Sequence, residues 1–250
     1  MSLLYLPARL SALFLALALG LHPQIARRFP RLLLGVLFAR GRRTVTSWFR
    51  AVGITEEYKQ AYRDVAAAGR SHEYSATAVL SAVERLLQPQ DDLLVAIDDT
   101  PTPRWGPWVE GAGIHHNPNP GPAGEKYLYG HVWVTLAALL NHPEQGVRAL
   151  PLRAELYVRR KDITATLRCQ GVAFATKLQQ AAQQLLWLSD AADRARRIRV
   201  VADGAYAKRP LLVVLRRLHE GRVHNAAFFG SRLTRVSCKR RMTTSSGRLA

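Results

Sequence analysis

Two short apolar runs, each ending in aspartate, constrain this chain more than any other feature. The first reads VAIDDT at positions 95–100, and the second reads VVADGAY at positions 200–206. Continuous apolar runs of this length are typical of strands buried within a sheet. A carboxylate at the end of such a strand is held rigidly at the edge of the sheet, so the two runs predict an acidic functional site there.

The charge balance predicts a polyanionic partner. The 250 residues include 36 Lys and Arg against 18 Asp and Glu, for a net charge of +18. Nucleic acid is the first candidate partner and an anionic membrane surface is the second. A hydrophobic content of 48% excludes a disordered chain. The two cysteines, Cys169 and Cys238, are too far apart for a zinc motif and indicate a reducing cytoplasm.

Residues 1 to about 88 have helical periodicity, with few β-branched residues. The apolar run Leu10–Leu21 is too short for an ordinary transmembrane helix, so we expect it to be buried and expect no stable membrane association. A short basic helix is predicted between Gly41 and Gly53, with Thr44 or Thr46 as its N-cap. Its arginines are candidate DNA contacts; they are Arg42, Arg43 and Arg50.

From about residue 91 to 221 the pattern changes to alternating strands and helices. The predicted order is β-β-β-α-β-α, with strands at 93–97, 127–140, 148–158 and 198–202 and helices at 173–188 and 210–219. Residues 101–126 are rich in proline and glycine and predict a long loop, in which His115 and His116 are expected to be exposed. In the same loop, Trp105 and Trp108 are candidates for stacking on unpaired bases.

The last segment, residues 222–250, differs in composition from the rest. It contains seven Lys or Arg, seven Ser or Thr and no acidic residue. The segment lacks a hydrophobic period, so it predicts a disordered basic tail. The abrupt change suggests the hypothesis of a shifted reading frame near residue 222.

This order of elements predicts an α+β or α/β fold: a helical N-terminal region followed by a ribonuclease H-like mixed sheet that is incomplete at its C-terminus. In that layout the first and fourth strands are neighbours, which brings Asp99 and Asp203 together across 104 residues. Hard oxygen ligands suit Mg²⁺ or Mn²⁺. Such ions activate the attacking group and stabilise the leaving oxygen of a phosphodiester.

The chain resembles the DDE-superfamily endonucleases, the transposases of bacterial insertion sequences. The matching segments, in order, are GRRTVT at 41–46, IDDT at 97–100, GAG at 111–113, GHVWV at 130–134 and VADGAY at 201–206. Each segment alone is weakly specific, but their order and spacing carry the resemblance across residues 1 to about 221.

The resemblance implies residue roles. Asp99, directly before threonine, corresponds to the first catalytic and metal-binding aspartate, and Asp203 to the second. Asp98 stays open as the alternative to Asp99, because neighbouring strand residues point to opposite faces. The third ligand of the family, a helix-borne glutamate, is not found, since Glu220 lies too close to Asp203. Lys208 and Arg209, which follow the second aspartate, are candidate phosphate contacts.

The resemblance also implies double-stranded DNA at transposon ends as the partner, a homodimer as the candidate assembly, and a place at the nucleoid in the cytoplasm. With no third ligand, we expect this chain to be catalytically inactive. The alternative is a non-catalytic DNA-binding remnant that occupies transposon ends. Two other readings are a membrane-associated hydrolase anchored by Leu10–Leu21 and a haloacid-type phosphatase. The adjacent acids Asp98 and Asp99 argue against the phosphatase, whose motif spaces its acids by one residue.

Overall fold

The chain divides into a helical unit and a sheet-containing unit. A computed structural model describes residues 6–41, 44–56, 58–117, 124–219, 223–229 and 234–236. The two compact units are Met1–Gln88 and Pro89–Ala250.

The helical unit is built from amphipathic helices. Its described helices are α1 (Ala8–Ala18), α2 (Pro23–Phe38), α3 (Val45–Ala51), α4 (Tyr58–Arg70) and α5 (His72–Glu84). The predicted basic helix is α3, which begins after Thr44. The Thr44 side chain accepts a hydrogen bond from the Ser47 backbone N–H at 3.2 Å, which caps the helix. Gly53, with φ of 68°, follows the end of α3 in the left-handed conformation that glycine adopts readily.

The apolar N-terminal run contributes to the core of this unit. Phe14 on α1 is buried in one cluster with Leu34 and Val52. Phe49 on α3 is fully buried in a second cluster with Leu32 on α2. Among the described residues, no helix has the length and apolar character needed to span a bilayer.

The described residues of the second unit form a seven-stranded mixed sheet. Its strands are β1 (Leu93–Pro103), β2 (Gly113–His116), β3 (Tyr127–His142), β4 (Gly146–Tyr157), β5 (Ile198–Asp203), β6 (Val223–Phe229) and β7 (Thr234–Val236). The sheet order is β2-β3-β1-β5-β6-β7, with β4 also pairing with β3. Strands β1 and β5 are parallel neighbours at the centre of the sheet. Strand β3 pairs antiparallel with both β1 and β4.

This arrangement confirms the predicted ribonuclease H-like α+β fold. The helices that follow β4 and β5 are α6 (Ala165–Cys169), α7 (Lys177–Ala191) and α8 (Arg209–His219). Helix α7 packs against β3 and β4 and also against α8. Leu185 and Leu188 of α7 and Leu211 of α8 are fully buried. A buried amide, Gln184 Nε2, donates to the Val134 carbonyl at 2.8 Å and fixes α7 to the sheet.

Two segments differ from the sequence-based expectation. Strand β1 extends to Pro103, and β2 forms inside the predicted 101–126 loop, because its backbone completes the edge of β3. His115 is therefore buried rather than exposed. The sheet also continues past the expected core boundary at 221, because β6 pairs in parallel with β5 and β7 pairs with β6. The predicted tail at 222–250 thus begins with strands, while residues 237–250 lie outside the described part of the chain.

Candidate active site

The two acidic runs meet at the centre of the sheet. Strands β1 and β5 pair in parallel, with Ile97 beside Ala202 as their last paired position. The next residue on each strand is an aspartate, Asp98 on β1 and Asp203 on β5. The topology therefore joins two carboxylates that are far apart in sequence, as the sequence predicted for this pair of strands.

The two faces of the sheet receive different aspartates. Paired residues on parallel strands point to the same face, and successive residues alternate. Asp98 and Asp203 consequently share one face, whereas Asp99 lies on the opposite face with the buried residues Val95 and Ile97. Helices α7 and α8 pack against the Asp99 side of the sheet, and we call this the helix face; the side of Asp98 and Asp203 is the open face.

Asp99 is held by two partners on the helix face. The Lys177 ammonium lies 2.5 Å from Asp99 Oδ2 in a half-buried ion pair. The Tyr206 hydroxyl donates to Asp99 Oδ1 at a longer 3.4 Å. Lys177 also lies over the Tyr157 ring, 5.6 Å from its centroid. These contacts satisfy the Asp99 carboxylate within the protein.

The start of helix α7 positions Lys177. Thr176 forms a capping box with Gln179, in which each side chain accepts from the other residue's backbone N–H. Lys177 is therefore the first residue of a well-fixed helix, and the positive end of the helix dipole lies near Asp99. A cleft of about 290 Å³ is lined by Asp99, Lys177, Tyr206 and Lys208, among others.

Asp98 lies in an acidic environment. Its Oδ1 accepts from the Asp99 backbone N–H at 2.8 Å. Desolvation raises the pKa of the Asp98 carboxyl above its usual range, and the negative charges of Asp99 and Asp203 raise it further. The Asp99 backbone hydrogen bond and the Lys177 charge act in the opposite direction and lower that pKa. A group of mutually repelling carboxylates is the environment in which a cation binds favourably.

Asp203 ends β5 and caps the short 3₁₀ turn Gly204–Tyr206. Its Oδ1 accepts from the Ala205 backbone N–H at 2.9 Å. Tyr206 in this turn is buried, and burial raises its pKa, with the charges of Asp99 and the other aspartates adding to the shift. The phenol therefore stays protonated at neutral pH and remains a hydrogen-bond donor to Asp99.

Asp98 and Asp203 are the two carboxylates on the open face that could hold a hard divalent cation. Asp98 and Asp203 each use one oxygen for a backbone N–H, and no described cation pairs with either side chain. Within the described residues, no group of three His, Cys, Asp or Glu side chains gathers at one point. Mg²⁺ binds in many phosphoryl-transfer sites through one or two carboxylates, with water and substrate phosphate completing its shell.

The other predicted site residues are spread over both units. Lys208 lines the Asp99 cleft, and Arg209 begins α8 as an exposed residue. Arg50 is exposed on α3 of the helical unit, while Arg42 and Arg43 lie outside the described residues. Glu220, which the sequence rejected as third ligand, also lies outside the described residues.

Lys177 is the site residue that the sequence did not single out. The signal for its helix start was the Thr176–Gln179 pattern of a capping box, yet the helix was predicted to begin at Ala173. A capping-box pattern predicts where a helix starts. It does not predict that Lys177 forms an ion pair with the distant Asp99.

The mixed sheet, with an aspartate at the end of each central parallel strand, places the fold in the ribonuclease H-like class. A family profile described as DDE superfamily endonuclease matches residues 17–224, which is most of the chain. The chain therefore belongs to the DDE superfamily endonucleases, and the predicted resemblance is confirmed. Among curated proteins, no significantly similar sequence was found.

Proposed function

We propose that this protein is a DDE-type transposase that cleaves and joins DNA strands at the ends of an insertion sequence. The sequence predicted an inactive chain because no third ligand was found. We propose activity instead, because Mg²⁺ is held by one or two carboxylates in many phosphoryl-transfer sites. The observation that carries the proposal is the position of Asp98 and Asp203 on the open face, each one residue past the last paired position of two central parallel strands. Membership of an endonuclease family supports DNA as the substrate class.

Asp98 and Asp203 would hold Mg²⁺ or Mn²⁺. When bound, the cation supplies charge stabilisation at the scissile phosphate and activation of the attacking oxygen. Asp99 was the first choice from the family resemblance. We now assign it a positioning role, because Lys177 and Tyr206 occupy its two oxygens. The exposed Lys208 and Arg209 lie five and six residues after Asp203 and would contact DNA phosphates.

The helical unit would contribute DNA binding. The exposed Arg50 on α3, with Arg42 and Arg43 just before that helix in sequence, supports a basic DNA-facing surface. The net charge of +18 supports the same assignment, since phosphate contacts supply most non-specific affinity for DNA. We further propose action at the nucleoid in the cytoplasm and assembly as a homodimer.

The decisive experiment measures nicking of a supercoiled plasmid that carries the coding segment with its flanking DNA. We expect nicking to require Mg²⁺ or Mn²⁺ and to be lost in Asp203→Asn, while gel shifts show unchanged DNA binding. The matched control is Asp190→Asn, the same substitution at an exposed position of α7, which should nick normally.

Two other outcomes have defined meanings. Full nicking by Asp203→Asn would remove the assignment of Asp203 as a metal ligand. A native chain that binds the plasmid but does not nick it with either cation would favour the alternative of a non-catalytic protein that occupies transposon ends.

A further inference from the structure

A second groove lies beyond the acidic site, where β1 ends beside the start of β3. It has a volume of about 610 Å³. Aromatic and proline rings provide most of its walls, and arginine is also present; these residues include Pro101, Pro103, Arg104, Trp105, Tyr127 and Tyr129. We refer to this feature as the aromatic groove. No part of the proposed metal chemistry uses it.

The aromatic rings of the groove are unusually accessible. Trp105 is 85% exposed and Tyr127 is 57% exposed, although both are large apolar side chains. The segment that carries Trp105 is nonetheless fixed to the sheet. The Arg104 backbone N–H donates to the Tyr129 carbonyl at 3.0 Å, and Arg104 Nε donates to His131 Nδ1 at 3.1 Å. The groove therefore offers anchored ring faces to a planar ligand.

The charges around the groove favour a nucleotide as the occupant. Arg104 lines the groove, and the Lys126 ammonium lies 5.8 Å from the centroid of the Tyr127 ring. Both cations suit a phosphate backbone. Glu125 also lines the groove, and its carboxylate disfavours phosphate there but accepts hydrogen bonds from a base amino group. This combination fits a base inside the groove and its phosphates at the rim.

The position along β3 links the groove to the acidic site. Asp98 pairs with Thr135 of β3, and strand alternation places Tyr129 and Tyr127 on that same face. The six-residue separation between Thr135 and Tyr129 corresponds to about 20 Å in a β-strand. A DNA strand held at Asp98 and Asp203 would reach the groove within a few nucleotides.

We propose that the aromatic groove binds an unpaired nucleotide of the DNA strand held at the acidic site, with its base stacked on Trp105 or Tyr127. This inference rests on the proposed function, because it takes DNA as the substrate. Aromatic stacking recognises any base, so the groove selects single-stranded over paired DNA rather than a particular sequence. A nucleotide extruded beside the cleaved bond would be its natural ligand.

The test compares two tryptophans on the same loop. Trp105 lines the groove, whereas Trp108 is 94% exposed and does not line it. The probe is a labelled oligodeoxycytidine of about 12 nucleotides, whose bases carry the amino group that Glu125 would accept from, with binding measured by fluorescence anisotropy in EDTA. We expect Trp105→Ala to weaken binding about tenfold, within the range measured for loss of one stacking ring. Trp108→Ala should bind like the native chain.

A rescue variant separates stacking from folding. Trp105→Phe keeps a ring and should recover most of the affinity, and all variants should retain native affinity for a duplex of the same length. Equal losses in Trp105→Ala and Trp108→Ala, or no loss in either, would overturn the proposal. The proposal would also be overturned if sedimentation showed the native chain to be a dimer and Trp105→Ala to be a monomer. The groove would then bind a second copy of the chain.

This measurement is independent of cleavage. If Asp203→Asn still nicks DNA while Trp105→Ala loses single-strand affinity, the groove stands and the metal assignment fails. If Asp203→Asn abolishes nicking and Trp105→Ala binds normally, the groove proposal fails and the proposed function stands.

Discussion

The neighbouring aspartates Asp98 and Asp99 lie on opposite faces of the sheet and have different electrostatic environments. On the helix face, Asp99 is paired with Lys177 and receives a hydrogen bond from the buried Tyr206. On the open face, Asp98 lies at the position beside Asp203, and no described side chain forms an ion pair with either carboxylate. One face thus pairs a negative charge within the protein, while the other leaves two carboxylates without an ion pair among the described residues.

The difference shows how strand alternation assigns roles. Adjacent residues on one strand enter different environments, and each environment decides the chemistry available to the side chain. The ion pair of Asp99 is a fixed contact between β1 and the start of α7. We interpret it as the support that holds the end of β1, and therefore Asp98, in place.

The largest expected effect concerns metal binding by the two neighbouring aspartates. Asp98→Asn removes a ligand on the open face, so we expect Mn²⁺ binding and cleavage to be lost. Asp99→Asn removes only a supporting contact and should weaken Mn²⁺ binding by about tenfold, as outer-shell changes do. Mn²⁺ titration followed by electron paramagnetic resonance measures both variants without relying on activity.

Lys177→Met provides a second arm of this test. It removes the partner of Asp99 and leaves Asp98 and Asp203 intact, so the protein should still bind Mn²⁺. The reverse result, with binding lost in Asp99→Asn and retained in Asp98→Asn, would restore Asp99 as the metal ligand implied by the family resemblance.

The next largest effect is on the free energy of unfolding. Two adjacent leucines on β1 compare how tightly the two faces are packed. Leu93 is fully buried on the helix face, whereas Leu94 is half-buried on the open face. Leu93→Ala leaves a cavity in the core and should lower the free energy of unfolding by about 2–5 kcal/mol. Leu94→Ala should cost about 1 kcal/mol, since it removes less buried surface. Urea unfolding of the sheet unit, followed by hydrogen exchange, gives both values. Equal losses would mean that the open face is covered in solution.

Much of the sheet could be predicted because its signals are local. The apolar runs that became β1 and β5 and the stripe on α7 are continuous in sequence, so periodicity alone indicates them. The meeting of the two acidic runs followed from the strand order of the predicted fold. Alternation also showed that Asp98 and Asp99 point to different faces, but it did not say which face carries Asp203, because that depends on the register with β5.

The features that the sequence did not predict depend on distant partners. Strand β2 lies in a segment whose prolines and glycines indicate a loop, and it becomes a strand only by pairing with β3. Strand β6 carries the polar residues His224 and Asn225 near its start, so its sequence is only weakly strand-like, and its pairing with β5 makes it part of the sheet. Lys177 lies 78 residues from Asp99, so no local pattern could indicate their ion pair.

The smallest expected effect concerns His115. We expect its burial on the helix face to keep the imidazole uncharged. His115 on β2 is 8% exposed, and its Nε2 has no hydrogen-bond partner among the described residues. Burial lowers the pKa of His115 below its usual 6.5, and the positive charges of Arg159 and Lys177 lower it further. The folded protein therefore holds this imidazole neutral at a pH where the unfolded chain is already protonated.

The sign of the pH effect follows from this difference. His115 has a pKa of 6.5 in the unfolded chain and a lower pKa in the folded protein. Below pH 6.5 the unfolded chain therefore binds more protons than the folded one. The free energy of unfolding falls as the pH drops from 6.5 toward the lower pKa of the folded state. We expect urea midpoints to fall between about pH 7.5 and about pH 5.5, and His115→Phe to reduce that fall. His116→Phe is the matched control, because His116 is the next residue and is exposed on the other side of β2. If both variants keep the full native pH dependence, burial of His115 does not destabilise the fold in acid, and the contrast between the two faces is limited to the aspartates.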